Sequence, residues 1–148
     1  MKKKIFIVLA GNTLKSHEKI IKKLEKRGAK TVETLEESEA TIVFCPIVSR
    51  FETDVNAALS NAEDLGCKKV ILVAMHHTFN KDYPLPHQRG LNNPAITVLV
   101  DYLFFETKGI LSCDCNKRAF KTIRKELGLP KHSTGMKIGK KKKSDPTN

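Results

Sequence analysis

The sequence predicts an α/β fold in which a mainly parallel, five-stranded sheet is sandwiched between helices. Two apolar runs, Ala40-Thr-Ile-Val-Phe-Cys-Pro46 and Lys69-Val-Ile-Leu-Val-Ala-Met75, flank a helix-patterned stretch from Ser49 to Leu65. Strands this apolar along their whole length are buried on both faces, and a helix between two of them is the crossover that parallel pairing requires. The rest of the chain continues the alternation with no internal repeat, and 148 residues make about one domain.

The elements follow in order. Lys4 to Ala10 reads as the first strand and Asn12 to Gly28 as the first helix, with Leu14, His17, Ile21 and Leu24 on one stripe and Gly28 as its stop. Lys30 to Glu33 is a short second strand, and Thr34-Leu-Glu-Glu37 has the form of a capping box over a single turn. The third strand is Ala40 to Pro46. Ser49-Arg-Phe-Glu52 is a second capping box, opening a helix that buries Phe51, Val55, Ala58, Leu59, Ala62 and Leu65 and closes at Gly66. Lys69 to Met75 is the fourth strand and Ala95 to Phe104 the fifth. Asn116 to Leu127 is the last helix, with Ala119, Phe120, Ile123 and Leu127 inward. This arrangement predicts a three-layer, flavodoxin-like (Rossmann-like) sandwich with strand order 2-1-3-4-5.

Composition narrows the class. Hydrophobic content of 40% with 29% charged residues describes a globular protein, and no apolar run approaches the roughly 18 residues of a membrane span. Lys2 to Lys4 followed by Ile5 to Ala10 imitates an export signal, but the segment is too short and leads into a charged amphipathic helix, so it reads as a first strand. Cys45, Cys67, Cys113 and Cys115 read as reduced thiols of a cytoplasmic protein; Cys113-Asp-Cys115 lacks the spacing and the second pair of a zinc site. The net charge is +11, of which +5 falls in Lys131 to Asn148. Residues 1–130 are thus expected to form the domain and 131–148 a disordered basic tail. Its lysine run is a candidate nuclear address or nucleic-acid contact, against the simpler reading of a solubilising tail.

The predicted strand order locates a ligand. In open α/β sheets the crevice lies beyond the carboxyl ends of the strands where the order reverses, here between the first and third strands. Gly11, Asn12 and Thr13 would line it from one side, Ser49 and Arg50 from the other, at two helix openings whose free N–H groups favour an anion. Arg50 adds a forked donor for phosphate or carboxylate. Each has a plainer reading: Asn12, Thr13 or Ser49 as caps, Arg50 as a surface charge. Neither G-x-G-x-x-G nor G-x-x-x-x-G-K-[ST] occurs around Gly11.

Residues 76–94 show neither helix nor strand periodicity, which is long for a connection inside a compact domain. They leave from the same edge and could carry His76, His77 or Arg89 to a ligand. If the strand continues through them, adjacent His76 and His77 point to opposite faces, one into the core and one outside, so they make no metal site. The simplest role for them is a structural histidine bonded to the loop.

Val43-Phe-Cys-Pro-Ile-Val-Ser-Arg50, Asp54, Val70-Ile-Leu-Val-Ala-Met-His-His-Thr-Phe79 and Val100-Asp101 together resemble a group of small, functionally uncharacterised α/β proteins of fishes and other vertebrates, over residues 4–127. That resemblance implies the fold and no activity. More distantly, the layout of strand, polar loop, carboxylate-bearing helix and apolar strand is similar to nucleoside deoxyribosyltransferases and TIR-type domains, which act on N-glycosidic bonds. The likeness implies Asp54, or else Glu52, as nucleophile or stabiliser of an oxocarbenium-like transition state, with Asn12, Ser49 and Arg50 holding sugar or phosphate. This chain departs from the pattern in carrying Asp54 where glutamate is expected, and Glu52 is accounted for by the capping box. Asp101 is the one further carboxylate near that edge, and if buried it needs a partner.

The expectation is therefore a module that binds a nucleotide, a phosphorylated small molecule or a protein partner without catalysis and without a cofactor. N-glycosidic hydrolysis or transfer is the alternative. Nucleic-acid binding through the tail is a third reading, weakened because most of the nine aromatic residues fall at predicted core positions.

Overall fold

The computed structural model describes residues 3–48, 50–61, 69–83, 96–105 and 108–131. In chain order the elements are β1 (Lys3–Leu9), α1 (Ser16–Lys26), β2 (Ala29–Val32), β3 (Ala40–Ile47), α2 (Phe51–Asn61), β4 (Lys69–His77), β5 (Val98–Phe105), β6 (Gly109–Ile110) and α3 (Asp114–Leu127). They form an α/β structure around one six-stranded sheet of order β2-β1-β3-β4-β5-β6. Pairing is parallel from β2 through β5 and antiparallel between β5 and β6.

The expected five strands in order 2-1-3-4-5 are corrected in count and order by β6, which adds a sixth, antiparallel strand beyond β5. It spans two residues, too few to show a period in sequence, and Gly109 supplies the positive φ of 68° on which the chain turns back. Phe104 then faces Ile110 and Phe105 faces Gly109.

The helix starts also move. α1 begins at Ser16 rather than Asn12, because Asn12 Oδ1 accepts the Leu14 N–H at 2.9 Å and holds the chain in a local turn. Leu14 and Lys15 follow with φ of 55° and 66°, outside the helical region. Leu14 is consequently exposed, and the buried stripe is Ser16, Ile20 and Leu24. α2 begins at Phe51, directly after Arg50, and α3 at Asp114, two residues before the predicted start. β4 continues through His77, and β5 opens at Val98. Residues 62–65 of the predicted second helix, residues 84–95 of the long irregular segment and the tail from 132 lie outside the described residues.

Alternation along the strands splits the core in two. Ile5, Ile42, Phe44, Ile71, Val73, Met75 and Tyr102 pack with Ile20 and Leu24 of α1 and with Phe120, Ile123 and Leu127 of α3. On the opposite face Val43, Cys45, Leu72 and Ala74 pack with Val55 and Ala58 of α2. Each fully buried Leu or Ile contributes about 1.5–3 kcal/mol, so β3 and β4, apolar on both faces, anchor both halves.

One buried polar residue fixes the β5 side. Asn116, in the first turn of α3, donates from Nδ2 to the carbonyls of Leu103 (2.8 Å) and Leu111 (2.7 Å) and accepts the Leu103 N–H at 2.7 Å. Its amide thereby takes the place of a strand beside Leu103 and sets where α3 departs. No described helix is long and apolar enough to cross a membrane.

Candidate functional site

The order of strands reverses between β1 and β3, which is where the crevice is expected. Ala10 N–H still donates to Phe44 O at 2.9 Å, keeping the chain against β3 up to Gly11. A Cβ on Gly11 would stand 3.1 Å from Pro46 Cγ, so glycine is what permits the close approach. Beyond it the polar groups are used by the loop itself. Asn12 Oδ1 serves the local turn, and the buried Thr13 hydroxyl is hydrogen-bonded to His17 Nδ1. Ser16 N–H donates to Thr13 O and Glu18 N–H to Lys15 O, while Glu18 places an acid in the first turn of α1. His17 packs on Phe44 with ring centroids 5.5 Å apart, and burial holds its pKa below the usual 6.5 against the opposing pull of Glu18.

Across the crevice, Arg50 is exposed and its carbonyl accepts the Asp54 N–H at 2.9 Å. Ser49 and the side chain of Glu52 lie outside the described residues. Asp54 Oδ2 accepts the Val48 N–H at 2.7 Å, and Asp54 O accepts the Cys45 thiol at 3.4 Å. The carboxylate that the N-glycosidic alternative would use thus braces the β3–α2 connection. Burial, with the Asp54 charge added, pushes the Cys45 thiol up to about 12, which leaves it protonated and unreactive.

His76 and His77 do fall on opposite faces. His76 is buried, and its Nε2 lies 2.8 Å from Asp101 Oδ1. Asp101 stands opposite Ala74 in the β4–β5 register, on the face that His76 shares two residues on. The partly buried carboxylate and the buried histidine thus meet each other's need for a partner. His77 is exposed and stacks on Phe105 at 5.1 Å and an interplanar angle of 8°, with Phe79 edge-on to the same ring at 5.4 Å. Arg89 lies outside the described residues. Among the described residues, no three His, Cys, Asp or Glu side chains converge to hold a metal ion.

A different locus collects positive charge. Lys19, Lys23 and Arg27 recur at intervals of four along α1, which places them on one helix face. Lys23 Nζ sits 4.3 Å and the Arg27 guanidinium 5.1 Å from the centroid of the Phe120 ring on α3. Beside this seam, between α1 and the β5–β6–α3 corner, lies a cavity of about 170 Å³. Lys19, Lys23 and Lys117 supply its cations, Ile20, Ile110 and Leu111 its apolar wall, and Tyr102 reaches it from β5. Burial first, then the charges of Arg27 and Lys19, lowers the pKa of Lys23 below its ordinary 10.5. Cys113 separates this cavity from a wider hollow on its other side, which Asp114 and Arg118 line. Sequence reading missed the cavity; its one local signal was the repeated like charge on α1.

Comparison of the chain with protein-family models, with curated proteins and with solved structures found no match in any of the three.

Proposed function

We propose that this chain is a non-catalytic α/β module that binds a small anionic ligand, a phosphorylated metabolite or nucleotide, in the cytoplasm. The order of its first five strands supports reading it as flavodoxin-like. The observation that carries the function is the α1 seam, where Lys19, Lys23 and Lys117 gather around a cavity of about 170 Å³. Like charges at this spacing oppose folding by a few tenths of a kcal/mol per pair, and a bound anion reverses the sign of that contribution. The carboxylates that catalysis would need are engaged elsewhere: Asp54 holds the Val48 N–H, and Asp101 is paired with His76. N-glycosidic chemistry at Asp54 is therefore the lesser reading.

Thermal melts of the full chain against inorganic phosphate, adenosine monophosphate, NAD and phenyl phosphate test this, with chromatography of each mixture for released base. A ligand at a hundred times its Kd adds about 2.7 kcal/mol and is expected to raise Tm by roughly 5–10 °C with the ligand recovered intact. No shift with any of the four would overturn anion binding. Released base that disappears in Asp54→Asn would replace the module with an enzyme.

A further inference from the structure

We propose that the cavity between α1 and α3 is the seat of a compact organic phosphate, a phosphomonoester with a small apolar body, with Tyr102 as the hydrogen-bond donor at its floor. The inference rests on the preceding reading and specifies its site and ligand class.

Tyr102 is the independent observation. The residue is 2% exposed and lines the cavity, yet its hydroxyl makes no hydrogen bond to any described residue. Nor is that oxygen sealed in the core: among the described residues the one fully enclosed side-chain oxygen or nitrogen without a partner is Thr41 Oγ1. We infer that the Tyr102 hydroxyl is the polar group turned to the cavity the residue lines, since buried phenols ordinarily find an acceptor. Burial and the neighbouring Cys115 raise its pKa, so it stays a donor at any physiological pH.

The surroundings define that acceptor. Lys19, Lys23 and Lys117 are flexible point charges suited to a phosphate dianion, whose oxygens also accept from a phenol. The nearest acid of the α3 first turn, Asp114, lines the wider hollow on the far side of Cys113 and not this one. Ile20, Ile110 and Leu111 offer nothing to an inorganic ion, whereas an apolar body laid on them leaves water. Size sets the upper limit: about 170 Å³ falls below the roughly 300–1,000 Å³ of pockets that enclose drug-sized ligands, which selects a compact monoester over a nucleotide.

Isothermal titration of the full chain with phenyl phosphate, inorganic phosphate and adenosine monophosphate tests the assignment, at one pH and one ionic strength. Phenyl phosphate is expected to bind about tenfold or more tightly than the other two. Lys23→Gln and Lys117→Gln are each expected to weaken it about tenfold and Tyr102→Phe about five- to tenfold, while Lys30→Gln on β2 changes nothing. Melting curves identify any variant that has lost its fold; the two lysine variants, altered at the surface, keep the test open if Tyr102→Phe has. Phenyl phosphate binding that survives both lysine substitutions overturns the site. Equal or tighter binding of inorganic phosphate or adenosine monophosphate overturns the ligand class and leaves anion binding standing. Absence of heat with all three overturns the reading beneath it.

Discussion

The β1–β3 crevice and the α1–α3 seam are both rich in polar groups, but they use them in opposite ways. In the crevice the side chains of three residues answer to their own loops, Asn12 to Leu14, Thr13 to His17 and Asp54 to Val48, while Arg50 stands exposed at the surface. Along the seam, Lys19, Lys23 and Arg27 press on one another beside a cavity that Tyr102 lines. The first region spends these hydrogen bonds on shape; in the second Arg27 Nε donates to Lys131 O at 3.0 Å, while Lys19 and Lys23 stand as like charges beside the cavity. The place where a fold class usually binds its ligand is therefore a weaker guide than a census of which donors are already engaged.

Asn116 gives the sharpest way to break the seam, because it holds the frame on which one wall is built. Its substitution by Ala leaves the Leu103 N–H and the Leu111 carbonyl without their buried partner, and the Leu103 carbonyl with the Leu111 N–H alone. A loss of about 3 kcal/mol or more is expected, read from urea unfolding midpoints at unchanged slope. A loss under about 1 kcal/mol would mean that water or backbone replaces the amide and that the wall is not set by it.

On the crevice side, Asp54→Ala is expected to cost about 1 kcal/mol, the usual worth of a side chain that caps backbone N–H groups. It should leave phenyl phosphate affinity within twofold. The same titration performed on this variant sharpens the contrast, since a tenfold loss would put the ligand in the crevice instead.

The smallest effect concerns His17. Burial lowers its pKa below 6.5, so between that lowered value and 6.5 the unfolded chain binds more protons than the folded one. Stability linked to neutral His17 is whole above about pH 6.5 and is lost as pH falls through the lowered pKa. His17→Gln should therefore flatten the fall in urea midpoint between pH 7.5 and 5.5 that the unaltered chain shows. An identical fall in both proteins would assign the pH dependence to other groups.

Much of the frame was legible because the information is local. The β3 and β4 runs announce burial on both faces through uninterrupted apolar residues, and the parity of His76 and His77 follows from the pleat alone. The start of α1 was misread because a helical stripe can be drawn through Leu14, while the Asx turn at Asn12 stops the helix short of it. Asp54 could not be recognised as a brace, since nothing in its spacing reveals that Oδ2 reaches back to Val48. The cavity was hidden for a different reason. Lys23, Tyr102 and Lys117 are remote in sequence and meet only after α1 and α3 are laid on the same face of the sheet.

The Asn116 amide has one more consequence, for how this chain behaves among its neighbours. The outer side of β5 would otherwise present a row of free N–H and C=O groups, which is a template for another strand. Phe104 and Phe105 are paired by the two residues of β6, Leu103 is answered by Leu111 and by the Asn116 side chain, and the Asp101 carbonyl receives the Cys115 thiol at 3.5 Å. At the other margin β2 is only four residues long and carries an exposed lysine, Lys30. Among the described residues both borders of the sheet are thus blunted against edge-to-edge pairing, one by a side chain imitating backbone and the other by brevity and charge.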